Sequence, residues 1–151
     1  MADNWVSPTG FEDDGNGWSN EASGYDDNLG TDADSDIINA EANSEAIAFT
    51  HTAISCDKVR FHADTSGEGD INVVSVAVWY DSGWNSIYTG AFTENLMTEK
   101  SIPAGIKSVS KIGMYFQNNG EEGGNAHVNE VDFNRVLAPV AIHHLKQAGG
   151  L

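Results

Sequence analysis

Beyond residue 45 apolar and polar positions alternate with a period of two, in short blocks separated by turn residues. Residues 46–50 are short and apolar, and Val59, Phe61 and Ala63 then alternate with Lys58, Arg60 and His62, one face in and one face wet. The segment 71–80 is the strongest: Val74, Val76, Val78 and Tyr80 share one face, while Ile71, Val73, Ala77 and Trp79 lie on or near the other. A strand apolar on both faces suits the middle of a sandwich. Asp81-Ser82-Gly83 marks a turn and predicts a hairpin to residues 84–88. An edge strand is expected over 96–102, stopped by Pro103 and Gly105. Ile112, Met114 and Phe116 alternate with Gly113, Tyr115 and Gln117; after the glycine-rich loop 118–125, Val131 and Phe133 oppose Glu130, Asp132 and Asn134.

These blocks predict an all-β fold, a two-sheet antiparallel jelly-roll sandwich of seven or eight strands. Its expected core is Val59, Phe61, Val74, Val76, Val78, Ile112, Met114, Phe116, Val131 and Phe133. Helical signals are few. Residues 37–48 have a cap in Ser35 or Asp36, but the like charges Glu41 and Glu45 stand four apart and oppose a helix. Residues 138–151 form a short C-terminal tail, with Pro139 suited to a first helical turn and Gly149-Gly150 to a stop.

Charge divides the chain further. The 151 residues carry 23 acidic and 7 basic side chains, a net charge of −16. Thirteen of the carboxylates, and no Lys or Arg, precede residue 58. Residues 1–35 therefore read as an irregular acidic leader, rich in Gly, Asn and Asp, laid over the body (36–137) by Trp5, Phe11, Trp18, Tyr25 and Leu29. A field of this sign repels phosphate backbones and anionic membranes, so neither nucleic acid nor membrane insertion is expected. No stretch approaches a membrane span, and the first residues lack the basic and apolar regions of a secretion signal. Cys56, the sole cysteine, offers neither a disulfide nor a metal cluster and suits a core position.

Catalytic signatures are missing: there is no phosphate loop, no Gly-x-Ser-x-Gly elbow and no His-Glu-x-x-His helix, and the five histidines suit surface positions. What remains is hard oxygen near flexible backbone, the chemistry of calcium. Residues 25–31 (YDDNLGT) offer that mixture without EF-hand spacing, since Ile37 stands where the last ligand would fall. Asx turns with solvated carboxylates account for the same residues.

The order of these blocks resembles galactose-binding-like jelly-roll modules. The carriers are residues 20–31 (NEASGYDDNLGT) near the start, and 127–133 (HVNEVDF) as a last strand with a Glu among apolar residues. The resemblance implies a structural calcium held by Asp26, Asn28, Thr31 and Glu130. It also implies sugar binding, where present, through loop aromatics at one end of the sandwich, for which Trp79, Trp84 and Tyr88 are the candidates. Similar single sandwiches occur as accessory proteins of bacteriophage particles. Two functions are therefore expected. The first is a non-catalytic virion component, such as a capsid decoration or fibre accessory, assembled in the host cytoplasm as a homo-oligomer or with other virion proteins through Trp5, Phe11, Val140, Ile142 and Leu145. The alternative is a soluble carbohydrate-binding module with a glycan partner.

Overall fold

The valine- and aromatic-rich blocks form strands where their alternation places them. The computed structural model describes residues 2–137. In chain order the strands are β1 Trp5–Val6, β2 Gly10–Glu12, β3 Trp18–Ser19, β4 Ala33–Ser35, β5 Ile47–Gly67, β6 Ile71–Tyr80, β7 Gly83–Ala91, β8 Thr98–Ser101, β9 Lys107–Asn118 and β10 Gly124–Arg135, with one 3-10 turn at Glu21–Gly24. The segments expected as two strands, 46–50 and 58–63, belong to the single long β5. Its register shifts between Thr50 and Ile54, where Thr52 and Ala53 lie exposed. The first half of β5 pairs with β2 and β9, and β9 continues to β6 and β7. The second half pairs with β8 and β10, and β10 takes β1 and β4 on its remaining edge. The chain thus folds into two layers of an all-β jelly roll joined through β5.

The core lies between the layers. All ten residues expected there are buried, and Phe49, Phe61, Phe116 and Phe133 are at most 1% exposed. Cys56 is fully buried, and burial pushes its thiol up to about 11. A register shift next to Ile71 brings that residue into the core with Val74, Val76 and Val78. At the β6–β7 turn Asp81 and Ser82 both adopt positive φ, 52° and 63°, as a two-residue hairpin turn requires. The segment considered for a helix, 37–48, instead makes isolated bridges, Ile38 to Gly124 and Asn43 to Gln117.

Two further features of the fold depart from the sequence reading. The leader is not wholly irregular: β1 to β4 are two- or three-residue strands that complete the edges of the long ones. The second face of β10, expected to be wet, is covered, so Asn129, Glu130, Asp132 and Asn134 are 2–5% exposed. The tail 138–151, including Val140, Ile142 and Leu145, lies outside the described residues. No helix among the described residues is long and apolar enough to cross a membrane.

Phe116 packs its ring against Trp18 at 6.1 Å and Phe92 at 5.5 Å, whereas its neighbour Tyr115 is 38% exposed. Urea denaturation should show Phe116→Ala losing about 3–5 kcal/mol. The adjacent Tyr115→Ala should cost about 1 kcal/mol or less.

Candidate functional site

The alternation that sends large side chains of β5, β9 and β6 into the core leaves small ones on the outer face. Register aligns Ala48 with Gly113, Gly113 with Ala77, and Ala77 with Ser86, so four neighbouring strands present a row of small residues. Neighbouring rows are larger. Trp84 opposes Trp79 on one side, and Tyr115 lies across from Ser75 on the other. The result is an open groove of about 450 Å³, floored by Ala48, Ala77 and Gly113, flanked by Trp84 and Tyr115, and bordered by Glu12 at the end of β2 and by Asp14 and Glu45 in the loops. That volume falls within the roughly 300–1,000 Å³ of small-ligand sites.

Trp84 is held yet open to solvent. Its ring meets Trp79 edge-on at 5.5 Å and rests on Gly113, where an added Cβ would come within 2.9 Å of the indole. Even so, Trp84 is 46% exposed. Lys111 Nζ lies 5.0 Å from the Trp79 ring and pairs with Glu12 at 3.0 Å. Ser86 and Thr89 are exposed on β7, and Thr89 shares a 3.0 Å hydroxyl contact with buried Ser75. A half-open indole, a second aromatic and hydroxyl groups can bind a ligand with both apolar and polar faces, as a pyranose has.

Of the three aromatics expected at a sugar site, Trp79 and Trp84 come together and Tyr88 does not. Register opposes Tyr88 to Val76 on the core side, where its hydroxyl donates to the Ala91 carbonyl and Lys100 sits 3.5 Å over its ring. The pair sits on strands, beside the hairpin tip, and not in end loops. Tyr115, Gly113, Asp14 and Glu45 went unnoticed in the sequence, because their grouping requires the register of four strands. The alternation of Gly113 and Tyr115 with the core residues of β9 was the one available signal.

The expected calcium ligands are also only partly gathered. Asp26 accepts from Asn28 N–H at 3.0 Å and from the Thr31 hydroxyl at 2.6 Å, while the Asn28 carbonyl accepts Thr31 N–H at 3.1 Å. These are the bonds of an Asx turn. Glu130 meets the next residue instead, with Asp27 N–H donating to its Oε2 at 2.8 Å. Carboxylate oxygens of Asp27, Glu130 and Asp132 lie within 4.8 Å of one another, and Glu130 Oε1 is buried without a hydrogen-bond partner. Ser7 donates to Asp27 at 2.9 Å, and Arg60 donates to Asp132 at 2.8 Å. An orphaned buried oxygen among three carboxylates fits a hard cation. Burial, followed by the charge of Asp132, pushes Glu130 up to about 8.

A second group ties β4 to β10. His127 Nδ1 lies 2.5 Å from Asp34 and 3.8 Å from Asp32, and its Nε2 contacts the Ser66 hydroxyl at 2.8 Å. Burial and Asp34 push Asp32 up to about 6. His62, also expected at the surface, is buried against Asn129 at 3.1 Å. Both histidines are engaged because the leader covers this side of β10. Of the two leader aromatics expected at an interface, Trp5 stacks under Arg60 at 4.5 Å, while Phe11 remains 42% exposed.

The two-layer fold is that of galactose-binding-like jelly-roll modules, and solved carbohydrate-binding modules of family 32 match it. CBM32-1 from a family 31 glycoside hydrolase of Clostridium perfringens gives a TM-score of 0.61 at 10% identity, over 85% of this chain and 96% of that one. A GH31 CBM32-2 module bound to GalNAc gives 0.56 at 11%, over 90% and 100%. The family 32 module of C. perfringens NanJ in complex with galactose gives 0.53 at 16%, over 87% and 91%. The likeness is one of fold. No protein-family model matches the chain, and no curated protein matches it in sequence.

Glu130 sets a pH dependence. Its folded-state pKa lies above the unfolded one, so folding takes up a proton between the two, and that contribution is lost as pH rises through about 8. In EDTA, chemical denaturation should show stability falling from about pH 5 to about pH 8.5. Glu130→Gln should flatten that trend; an unchanged slope in the variant would assign it to other groups.

Proposed function

We propose that the protein is a non-catalytic carbohydrate-binding module that takes its glycan on the outer face of β9, β6 and β7, with Trp84 as the stacking ring. The observation that carries this reading is the groove: a half-exposed indole held over a floor of small residues, beside a second aromatic and exposed hydroxyls. The fold supports it, since two of the matching modules are described with galactose or GalNAc bound. The virion reading draws no comparable support. Of its expected contacts, Trp5 lies against this chain's own Lys58 and Arg60, Phe11 is exposed, and Val140, Ile142 and Leu145 lie outside the described residues.

Beneath the second layer we assign Asp27, Glu130 and Asp132 as the carboxylates for a structural calcium. Bound there, the ion would join the turn after the 3-10 segment to β10 and supply a partner for Glu130 Oε1. Calcium takes six to eight oxygens at about 2.3–2.6 Å, so backbone carbonyls or water would complete its shell.

Two measurements test these assignments. Titration calorimetry against galactose- and hexosamine-containing oligosaccharides should find a ligand whose affinity falls about tenfold or more in Trp84→Ala. The melting temperature should change little, because the ring lies outside the core. Unchanged affinity would remove the groove from the binding site. Thermal unfolding in millimolar calcium should occur above that in EDTA, with the difference abolished in Asp27→Asn/Glu130→Gln. Identical curves for the parent protein would leave the carboxylates without a metal role.

A further inference from the structure

We propose that the protein pairs with a second copy of itself, edge to edge along β7, and that the pair presents both grooves on one face. β7 ends the sheet order, and among the described residues no strand pairs with its outer edge. It is also the long edge: the other outlying strands, β1, β2, β3 and β8, run two to four residues, whereas β7 runs nine. Sheets commonly blunt such an edge with charge or proline. β8 carries Glu99 and Lys100, and β2 ends on Glu12, but residues 83–91 hold no acidic or basic side chain and no proline.

The side-chain pattern of this edge is complementary to itself. From Trp84 to Ala91, exposed Trp84, Ser86, Thr89 and Ala91 are interleaved with half-buried Asn85, Ile87, Tyr88 and Gly90, and the pattern is the same read in either direction about Ile87 and Tyr88. Its symmetry comes from the register shift opposite Val76 and Ala77, which turns both Ile87 and Tyr88 toward the core. Antiparallel pairing across a two-fold axis at that point sets Trp84 of one copy against Ala91 of the other, Asn85 against Gly90, and Ser86 against Thr89. Outer residues then meet outer ones and inner meet inner, as a sheet with one buried face requires. Ser86 and Thr89 form a cross-strand hydroxyl pair, and Ala91 is small enough to leave the Trp84 indole open.

Charge selects the same edge. At −16, two copies repel one another over most of their surfaces. Here the strand is neutral, and Lys100, which has no acidic partner among the described residues, sits 3.5 Å over the Tyr88 ring beside the axis. A two-fold axis perpendicular to the sheet keeps both outer faces on one side, so the layer β9, β6, β7 continues into its copy and the two grooves open in the same direction. A ligand with repeated sugars can then engage both at once. That consequence rests on the groove being the glycan site; the pairing itself does not.

Sedimentation velocity on the full chain without ligand, from about 10 to about 500 μM in about 150 mM salt, should resolve a dimer whose share grows with concentration. Ser86→Lys/Thr89→Lys and Ser86→Glu/Thr89→Glu should each be monomeric, because like charges then face one another across the axis. An equimolar mixture of these two variants should restore the dimer, which also shows that both are folded. Ser86→Cys/Thr89→Cys should cross-link into a covalent dimer on mild oxidation, whereas Ser86→Cys alone should not, and the native Cys56 is fully buried. A parent chain that stays monomeric throughout would overturn the pairing. So would a dimer undiminished in both charged variants, or a mixture of them that remains monomeric. Equal cross-linking of the single and double cysteine variants would overturn the register. All of these readouts are taken without glycan, so their failure leaves the groove reading to its own test in Trp84→Ala.

Discussion

The fold depends on one strand that is too long for one sheet. If straight, the 21 residues of β5 would extend roughly 70 Å, whereas a domain of this length is roughly 40 Å across. The strand must turn, and its register shifts between Thr50 and Ile54. Four strands, β2, β8, β9 and β10, take their register directly from it. Because its two halves lie in different layers, Ile47 and Phe49 enter the core from one side, and Val59, Phe61 and Ala63 from the other. A slip at the corner would turn one set outward.

The second layer carries a different constraint, the burial of polar side chains on β10. An unpaired polar group in such a place is costly, so each needs a partner. The leader and β5 supply them: Asn134 bonds Asn4 N–H and Asp57, Asn129 contacts His62, and Asp132 meets Arg60. Pairing with particular β10 residues gives the acidic leader a specific path despite its like charges. Glu130 is the exception, with one oxygen on Asp27 N–H and the other without a partner.

How much was legible in the sequence follows from the range of each interaction. Val74, Val76, Val78, Ile112, Met114 and Phe116 alternate locally, and local alternation identified both the strands and the core. The continuity of β5 was hidden because the exposed segment around Thr52 looks like a loop between two strands. Glu130, Asp132 and Asn134 read as solvent-facing because the pattern of a strand does not report what lies over it. The Asp-rich turn was visible, but which carboxylate turns toward Glu130 depends on a single backbone N–H, that of Asp27. The aromatic pair Trp79 and Trp84 was legible from the hairpin, whereas Tyr88 was not separable from them without the register shift between Val76 and Ala77 that places it inward.

The groove follows from the same ladder that makes the core. Ala48, Ala77, Ser86 and Gly113 come from four separate strands and acquire a common meaning only when hydrogen bonding aligns them. Their backbone is that of the core strands, so the floor cannot deform without disturbing Val76, Ile112 and Met114 on the opposite face. A ligand there meets a surface fixed before it arrives, and little ordering of the backbone opposes binding. Variation in what the groove accepts is therefore carried by the walls and border, at Trp84, Tyr115, Asp14 and Glu45, where side chains can change while the ladder beneath them stays intact.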